Sequence, residues 1–286
     1  MRLYRSSPLH PALGAHLARL LGWVTAPLPS PQIRVVDGLR WELDLREVID
    51  SSLFFSGSFE PRAERAIARH LGADMTAIDV GANVGYHALR MARQVGPSGQ
   101  VIAIEPAPGA VARLRRNLAL NDLPNVTIVV AALGDRDIEN ATLQLQSSYP
   151  LSGRGGPEAV CARVARLDSL VLERRLERVD FIKIDVDGQE AQVLRGALGT
   201  LRRFHPPVLF ELTPTAVAAG GESVEALFGA LLDLGYSVSD EGGTRWHDPA
   251  REARRLRRGA GCNLLALPSP PPSSAVPSSP QGGVRP

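Results

Sequence analysis

The chain has 286 residues, and its 32 lysines and arginines nearly balance its 30 aspartates and glutamates. This length suits one large α/β domain with attachments, or two small domains. The net charge of +2 creates no global field for nucleic acid, which we exclude as a partner. Cys161 and Cys262 lie far apart in apolar surroundings without metal-ligand spacing. We therefore expect two buried, reduced thiols in a cytoplasmic protein.

The N-terminal region divides into a helix and a hairpin. Its apolar run is too short and too interrupted for a signal peptide or a membrane span, so we expect no stable membrane insertion. Leucines at helical spacing predict a short amphipathic helix that docks on the body: Leu13, Leu17, Leu20 and Leu21. Ile33–Val36 and Leu39–Leu45 flank Asp37-Gly38, a strong hairpin signal. We expect this hairpin to shape one side of the acceptor site.

Strands and helices alternate through the rest of the chain. The pattern predicts helices over residues 60–71, 86–95, 110–120, 167–176, 189–201 and 224–234. It predicts strands over residues 77–80, 101–104, 126–131, 141–145, 160–164, 179–185, 207–212, 236–239 and 263–267. Residues 134–140 are predicted as a turn and residues 146–158 as an exposed loop that encloses the acceptor. This alternation favours a mostly parallel sheet covered on both faces.

One stretch has the pattern of a nucleotide-type cofactor site. A buried strand is followed by a glycine turn, a helix and a second buried strand that ends at Glu105-Pro106; the turn reads Gly81-Ala82-Asn83-Val84-Gly85. Glycines let a backbone approach a ligand, and a helix N-terminus offers unpaired N–H groups. An acid at the next strand end can bind both ribose hydroxyls. Helix–strand packing is the alternative reason for the glycines, and helix capping is the alternative role of Asn83.

The residues around the turn discriminate between cofactors. Asn83 stands where the dinucleotide fingerprint has its second glycine, and Asp79 would repel a pyrophosphate. S-adenosylmethionine carries an ammonium, a sulfonium and a ribose but no phosphate. It therefore fits these residues better than a dinucleotide does.

An ordered set of motifs resembles the FkbM-type S-adenosylmethionine-dependent methyltransferases. The motifs are IDVGANVGYHAL, AIEPAPGAVARLRRNLALND, AALGD, LDSL, DFIKIDVDGQEAQVLRGA and VLFEL, preceded by FFSGSFEPRAERAI. The resemblance covers roughly residues 50 to 213. It implies a Rossmann-like, seven-stranded class I methyltransferase sheet that is mostly parallel, with an antiparallel last strand and helices on both faces. It also implies methyl transfer, usually to a hydroxyl. The family typically has glutamate where this chain has Asp187.

The residues and the resemblance together give a candidate cofactor-binding set: Asp79, Gly81, Ala82, Asn83, Gly85, Glu105, Pro106 and Ala132. Asp79 is expected near the methionine ammonium and Glu105 at the ribose. In the resembling family the stretch after the third strand borders the adenine, which here indicates Ala131 to Leu133.

The acceptor chemistry requires a group that takes the proton of a hydroxyl. Our candidate catalytic residues are Asp185, Glu211 and His87, with Asp187 and Glu190 as nearby acids. Either one acid acts as the base, or several acids hold a divalent cation such as Mg²⁺ that lowers the pKa of the hydroxyl. Favourable contact with a helix N-terminus is the alternative role of Glu190.

Lys183 is the only lysine and lies on a strand predicted to be buried. An isolated buried ammonium is costly, so we expect it to pair with Glu211 or Asp185.

We expect three parts: an N-terminal helix and hairpin extension over 1–60, a methyltransferase domain over 61–267, and a disordered Pro- and Ser-rich tail over 268–286. The predicted function is S-adenosylmethionine-dependent O-methylation of a small-molecule acceptor, a sugar or a secondary metabolite. Two alternatives stay open. One is an NAD-type oxidoreductase, and the other is a catalytically silent S-adenosylmethionine-binding module.

Overall fold

A computed structural model describes residues 30–145, 150–151, 156–219, 221, 223–253, 256 and 261–269. The predicted N-terminal helix lies outside these residues, as does the tail beyond Ser269. The elements in chain order are β1 (Gln32–Val36), β2 (Leu39–Leu43), α1 (Val48–Ser56), α2 (Pro61–His70), β3 (Thr76–Val80), α3 (Tyr86–Val95), β4 (Gln100–Ile104), α4 (Pro108–Ala119), β5 (Val126–Val129), β6 (Ala132–Leu133), β7 (Ile138–Leu145), β8 (Glu158–Ala165), α5 (Leu167–Glu173), β9 (Phe181–Ile184), α6 (Glu190–Arg195), α7 (Leu198–Phe204), β10 (Val208–Leu212), α8 (Pro214–Ala219), α9 (Val224–Asp233), β11 (Tyr236–Asp240), α10 (Pro249–Ala253) and β12 (Cys262–Pro268).

The central sheet has seven strands in the order β11-β12-β10-β9-β3-β4-β5. Strand β12 pairs antiparallel with both β10 and β11, whereas β10, β9, β3, β4 and β5 pair parallel. Alternate residues of β3 belong to two different buried clusters, Ile78 and Val80 to one and Ala77 to the other. Both faces of the sheet are therefore covered, as the sequence predicts for a mostly parallel sheet.

A second sheet of three strands, in the order β6-β8-β7, stands beside the central one. Strand β6 pairs parallel with β8, and β8 pairs antiparallel with the long strand β7. The predicted turn over residues 134–140 is wrong at its end, because β7 already begins at Ile138.

The predicted hairpin is confirmed, and it packs on the main domain. Asp37 and Gly38 have φ values of 49° and 72°, which is the left-handed backbone that a two-residue hairpin turn requires. On its inner face Trp41 is 1% exposed, and its ring centroid lies 6.2 Å from that of Tyr86. The amide of Glu42 donates to the side-chain oxygen of Asn117 at 2.9 Å, which ties the hairpin to α4.

Three helices and one helix break were not predicted from sequence. The helix expected over 189–201 divides into α6 and α7 around Gly196. A Cβ added at Gly196 would lie 2.0 Å from the carbonyl oxygen of Gly134, and the Gly196 carbonyl accepts a hydrogen bond from Asp168 N at 3.0 Å. The break thus follows from a contact between distant parts of the chain. The unpredicted helices are α1, α8 and α10.

The cysteines differ in part from expectation. Both are free thiols, but Cys161 is exposed rather than buried, and Cys262 is half-buried. Among the described residues, no helix has both the length and the apolar character that a bilayer crossing requires.

Candidate active site

A cavity of about 1130 Å³ opens where the parallel strands end. Its floor comes from the ends of four neighbouring strands, β3, β4, β9 and β10, at Val80, Ile104, Lys183 and Glu211. Its side walls come from the turn after β3, the first turn of α3, the segment after β5, the small sheet and the start of α1. This is the edge at which open α/β sheets bind ligands.

The two glycines of the turn after β3 are required by packing inside the protein. Gly81 has φ +81°, and a Cβ added there would lie 1.8 Å from the carbonyl oxygen of Asp185. Gly85 has φ +92°, and a Cβ there would lie 2.5 Å from Leu114 and 2.6 Å from Leu89. Gly81 and Ala82 also line the cavity. Packing, the alternative reason for the glycines, therefore applies at both positions. It is compatible with a ligand contact of the turn.

Asn83 joins the turn to the end of β4. Its φ of +48° is left-handed, a conformation that asparagine tolerates better than most residues. Its backbone N–H donates a hydrogen bond to Glu105 Oε2 at 2.9 Å. The helix cap proposed for Asn83 is wrong, because α3 begins at Tyr86 and Gly85 occupies the N-cap position.

Glu105 lies in the cavity wall and is 7% exposed. Its Oε1 accepts a hydrogen bond from Ala107 N at 2.9 Å, opposite the bond from Asn83 to Oε2. Burial raises the pKa of Glu105, and the two backbone hydrogen bonds oppose that rise. Each carboxylate oxygen has two acceptor positions, so each can accept one further hydrogen bond. The carboxylate fits a pair of ribose hydroxyls.

Asp79 lies deeper than the cavity surface. It is 1% exposed and does not belong to the residues that line the cavity, and Lys183 Nζ lies 3.8 Å from its Oδ1. Burial raises the pKa of Asp79, and the charge of Lys183 opposes the rise. Lys183 is thus a cationic neighbour of Asp79 within the protein. The expected position of Asp79 beside the methionine ammonium stays a prediction.

Lys183 pairs with Asp185, as expected, at 3.0 Å between Nζ and Oδ2. Lys183 itself is 5% exposed, and both residues line the cavity. The ion pair engages the Asp185 carboxylate at the end of β9.

Glu211 lies near the end of the neighbouring strand β10, directly after Phe210, which pairs with Ile184 at the end of β9. Burial raises the pKa of Glu211 to about 8, and the negative charges of Asp185 and Glu190 add to the rise. Asp185, the residue after β9, and Glu211, near the end of β10, therefore lie on neighbouring parallel strands. Asp185 forms an ion pair with the Lys183 ammonium. The raised pKa of Glu211 favours the protonated carboxyl at neutral pH.

The other two acids of this region have different environments. Glu190 is 1% exposed, begins α6, and its Oε1 accepts hydrogen bonds from Val186 N and Gly188 N, both at 3.1 Å. It therefore stabilises the turn before α6. Asp187 lines the cavity with a left-handed φ of +52°. No group of three or more His, Cys, Asp or Glu side chains suited to hold a metal occurs among the described residues, so the Mg²⁺ hypothesis has no support.

His87 lies in the first turn of α3, lines the cavity and is 6% exposed. Its Nε2 lies 2.9 Å from Glu60 Oε2, at the residue that precedes α2. Burial disfavours the charged form of Glu60, but the hydrogen bond and charge of His87 outweigh it and lower the pKa of Glu60 to about 2. Sequence reasoning missed Glu60, since nothing local relates residues 27 positions apart.

The remaining predicted residues lie on one side wall. Pro106 and Ala132 line the cavity, together with Ala131 and Leu133. The predicted loop over 146–158 lies partly outside the described residues, and Pro157 lines the cavity. None of the described residues of the β1–β2 hairpin lines it, so the expectation that the hairpin forms a wall is wrong. The hairpin instead packs behind Tyr86, which does line the cavity.

The seven-stranded sheet with one antiparallel strand, together with a cavity at its strand ends, is the Rossmann-like architecture of the class I methyltransferase fold. The chain belongs to the FkbM methyltransferase family. The family model described as "Methyltransferase FkbM domain" matches residues 79–238.

Three relatives with named activities are similar to this chain. "Methyltransferase sdnD" of Sordaria araneosa is 29% identical over 153 residues, which are 42% of this chain and 59% of that protein. "2-O-methyltransferase NoeI" of Sinorhizobium fredii is 30% identical over 151 residues, 46% of this chain and 60% of that protein. "Hexuronic acid methyltransferase AglP" of Haloferax volcanii is 25% identical over 194 residues, 65% of this chain and 77% of that protein. The match to the first two spans about three-fifths of their length.

Proposed function

We propose that this protein is an S-adenosylmethionine-dependent O-methyltransferase that acts on a hydroxyl of a sugar or of another small natural product. Methyl transfer follows from the family. The oxygen acceptor is supported by two relatives, one named for 2-O-methylation and one for a hexuronic acid. In this chain the observation that carries it is the position of Glu211, a carboxyl on β10 that lines the cavity beside the end of β9. Burial raises the pKa of this carboxyl.

The cofactor would lie across the ends of β3 and β4. We propose that Glu105 accepts the ribose hydroxyls and that the backbone of residues 81–83 faces the amino-acid part. Ala131, Ala132 and Leu133 form an apolar wall suited to the adenine. When bound, S-adenosylmethionine supplies an electrophilic methyl group on its sulfonium. The methyltransferase domain of this proposal is residues 61–267.

The reaction needs a base whose pKa is close to neutral pH and whose side chain is positioned at the acceptor hydroxyl. We propose that ionised Glu211 takes the hydroxyl proton, since a carboxylate with a raised pKa is a stronger base than an ordinary one. We favour Glu211 over Asp185 as the base, because the Asp185 carboxylate forms an ion pair with Lys183 at 3.0 Å. The walls of the cavity orient the acceptor and exclude water, which contributes much of the rate in methyl transfer.

Calorimetric titration with S-adenosylhomocysteine tests the cofactor site. We expect micromolar binding, about −8 kcal/mol, and a loss of roughly tenfold or more in Glu105→Ala, because two charge-assisted hydrogen bonds are removed. Glu177→Ala, which removes an exposed glutamate outside the cavity, is the matched control. Absence of binding by the folded wild type would overturn the proposal and reopen the NAD-type alternative.

Transfer of a labelled methyl group to a panel of methyl glycosides, uronic acids and alcohols tests the acceptor class. Labelled ether products support O-methylation. Tight binding of the cofactor product with no transfer to any hydroxyl in the panel would instead favour a silent binding module.

A further inference from the structure

The cavity extends away from its polar floor along a wall of aliphatic side chains. On β7, the odd-numbered residues Ala141, Leu143 and Leu145 are half-buried while their neighbours are exposed, as expected for a strand with one inward face. All three line the cavity, and so do Ile138, Thr142 and Gln144 of the same strand. Val48 and Ile49, at the start of α1, line it as well.

The end of β7 and the start of α1 are joined by backbone contacts. Pro150, five residues beyond Leu145, forms a β-bridge with Glu47. The amide of Leu151 donates to the carbonyl of Arg46 at 2.7 Å. These contacts tie the segment that follows β7 to the residues just before α1, and both β7 and the start of α1 contribute aliphatic side chains to the same cavity.

This wall runs away from the region proposed for the cofactor. Ala132, on the proposed adenine wall, pairs with Val164, and Val164 also pairs with Ile138 at the start of β7. Leu145 lies seven residues further along β7, roughly 20 Å from Ile138 at the rise of an extended strand. The far half of the wall is therefore beyond the reach of an adenine held at Ala132, while it still belongs to the same cavity.

We propose that this wall, made of Val48, Ile49, Ala141, Leu143 and Leu145, binds an aliphatic portion of the methyl acceptor. The acceptor is then an amphipathic molecule, with a hydroxyl-bearing polar head at Glu211 and an aliphatic group along β7. The inference rests on the proposed function, because it places the reacting hydroxyl at the polar floor. It narrows the acceptor class to amphipathic molecules. A purely polar sugar is disfavoured, because its hydroxyls would be buried against aliphatic side chains without hydrogen-bond partners.

The test is binding of n-butyl, n-hexyl and n-octyl β-D-glucopyranoside to the full-length protein, below their micelle concentrations and with S-adenosylhomocysteine in excess. Burial of methylenes predicts about tenfold tighter binding for each added pair. In Leu143→Asn this dependence on chain length should flatten, and octyl glucoside should lose affinity by about tenfold or more, while S-adenosylhomocysteine binds as in the wild type.

Leu172→Asn is the matched control, because Leu172 is 77% exposed on α5 and lies outside the cavity. It should keep the wild-type dependence on chain length. Equal affinity for the three glucosides, or equal losses in both variants, would overturn the proposal. The assay needs no turnover, so a retained chain-length dependence without methyl transfer would count against the proposed function alone.

Discussion

The ammonium of Lys183 and the carboxylate of Asp185 form an ion pair of 3.0 Å at the floor of the cavity. Burial disfavours the charged form of Lys183, but the charges of Asp185 and Asp79 outweigh it and raise the pKa of Lys183 above its ordinary value. Lys183 is therefore a permanent cation between two acids. One of these, Asp79, is 1% exposed and lies 3.8 Å away.

Replacing Lys183 by methionine should strongly destabilise the fold. The substitution leaves Asp79 buried without its cation, and loss of one partner from a buried ion pair costs about 3–5 kcal/mol. Urea unfolding measures this change in the free energy of unfolding. The double variant Lys183→Met/Asp79→Asn is the control, since it removes both charges and should recover much of the loss. A Lys183→Met protein as stable as the wild type would show that Asp79 does not depend on Lys183.

Activity should depend on pH through Glu211. Its raised pKa of about 8 means that the proton-accepting form becomes the major form only above that pH. We expect kcat/KM to rise with pH and to level off above about 8. Glu211→Gln should lower kcat/KM by about 10²-fold or more and abolish this rise, since base catalysis contributes about 10²–10⁴-fold. A Gln variant with the wild-type pH profile would assign the proton acceptor to another group, with His87 the next candidate.

The same carboxyl should make stability depend on pH. The folded-state pKa of Glu211, about 8, lies above the ordinary value of 4.5. The folded protein therefore binds the proton more tightly, and the stabilisation is complete below pH 4.5 and is lost as pH rises to about 8 and above. Compared with the wild type, Glu211→Gln should become relatively more stable between pH 6 and pH 9. Urea unfolding of both proteins at the two pH values measures the difference, and a constant difference would contradict the assigned pKa.

Much of the fold could be predicted from sequence because its signals are local. The apolar run of β3, the glycine turn and the helical spacing after it predict the β3–α3–β4 unit, and α3 has the predicted bounds, Tyr86–Val95. Asp37-Gly38 likewise predicts the hairpin, since both residues tolerate a left-handed backbone.

What sequence reasoning missed depends on contacts between distant residues. The helical pattern is interrupted at Gly196 because the distant Asp168 donates to the Gly196 carbonyl and accepts hydrogen bonds from Gly199 N and Thr200 N at the start of α7. Glu60 meets His87 only because α2 packs beside α3. The contact between Asp79 and Lys183 was missed for the same reason, since Lys183 lies on another strand, directly opposite in register. Periodicity reports which face a residue occupies, but not which partner it meets there.

Alanine variants of Gly81 and Gly235 separate the effect of backbone strain from that of steric overlap at Gly81. Gly81 and Gly235 have similar φ values, +81° and +78°, so alanine is strained at both. A Cβ at Gly235 meets no atom within 4 Å, whereas one at Gly81 would lie 1.8 Å from the backbone oxygen of Asp185. We expect Gly235→Ala to cost about 1–2 kcal/mol, and Gly81→Ala to cost at least about 2 kcal/mol more, since the end of β9 must move.

Urea unfolding of the two alanine variants gives the difference, and titration with S-adenosylhomocysteine gives its consequence for the site. Moving the turn away from Asp185 also displaces Asn83, whose backbone N–H donates a hydrogen bond to Glu105. Gly81→Ala should therefore lose cofactor-product affinity even where it stays folded, and Gly235→Ala should retain it. Equal stabilities of the two variants would mean that the turn after β3 can shift without resistance, and that its glycine is not held by contact with Asp185.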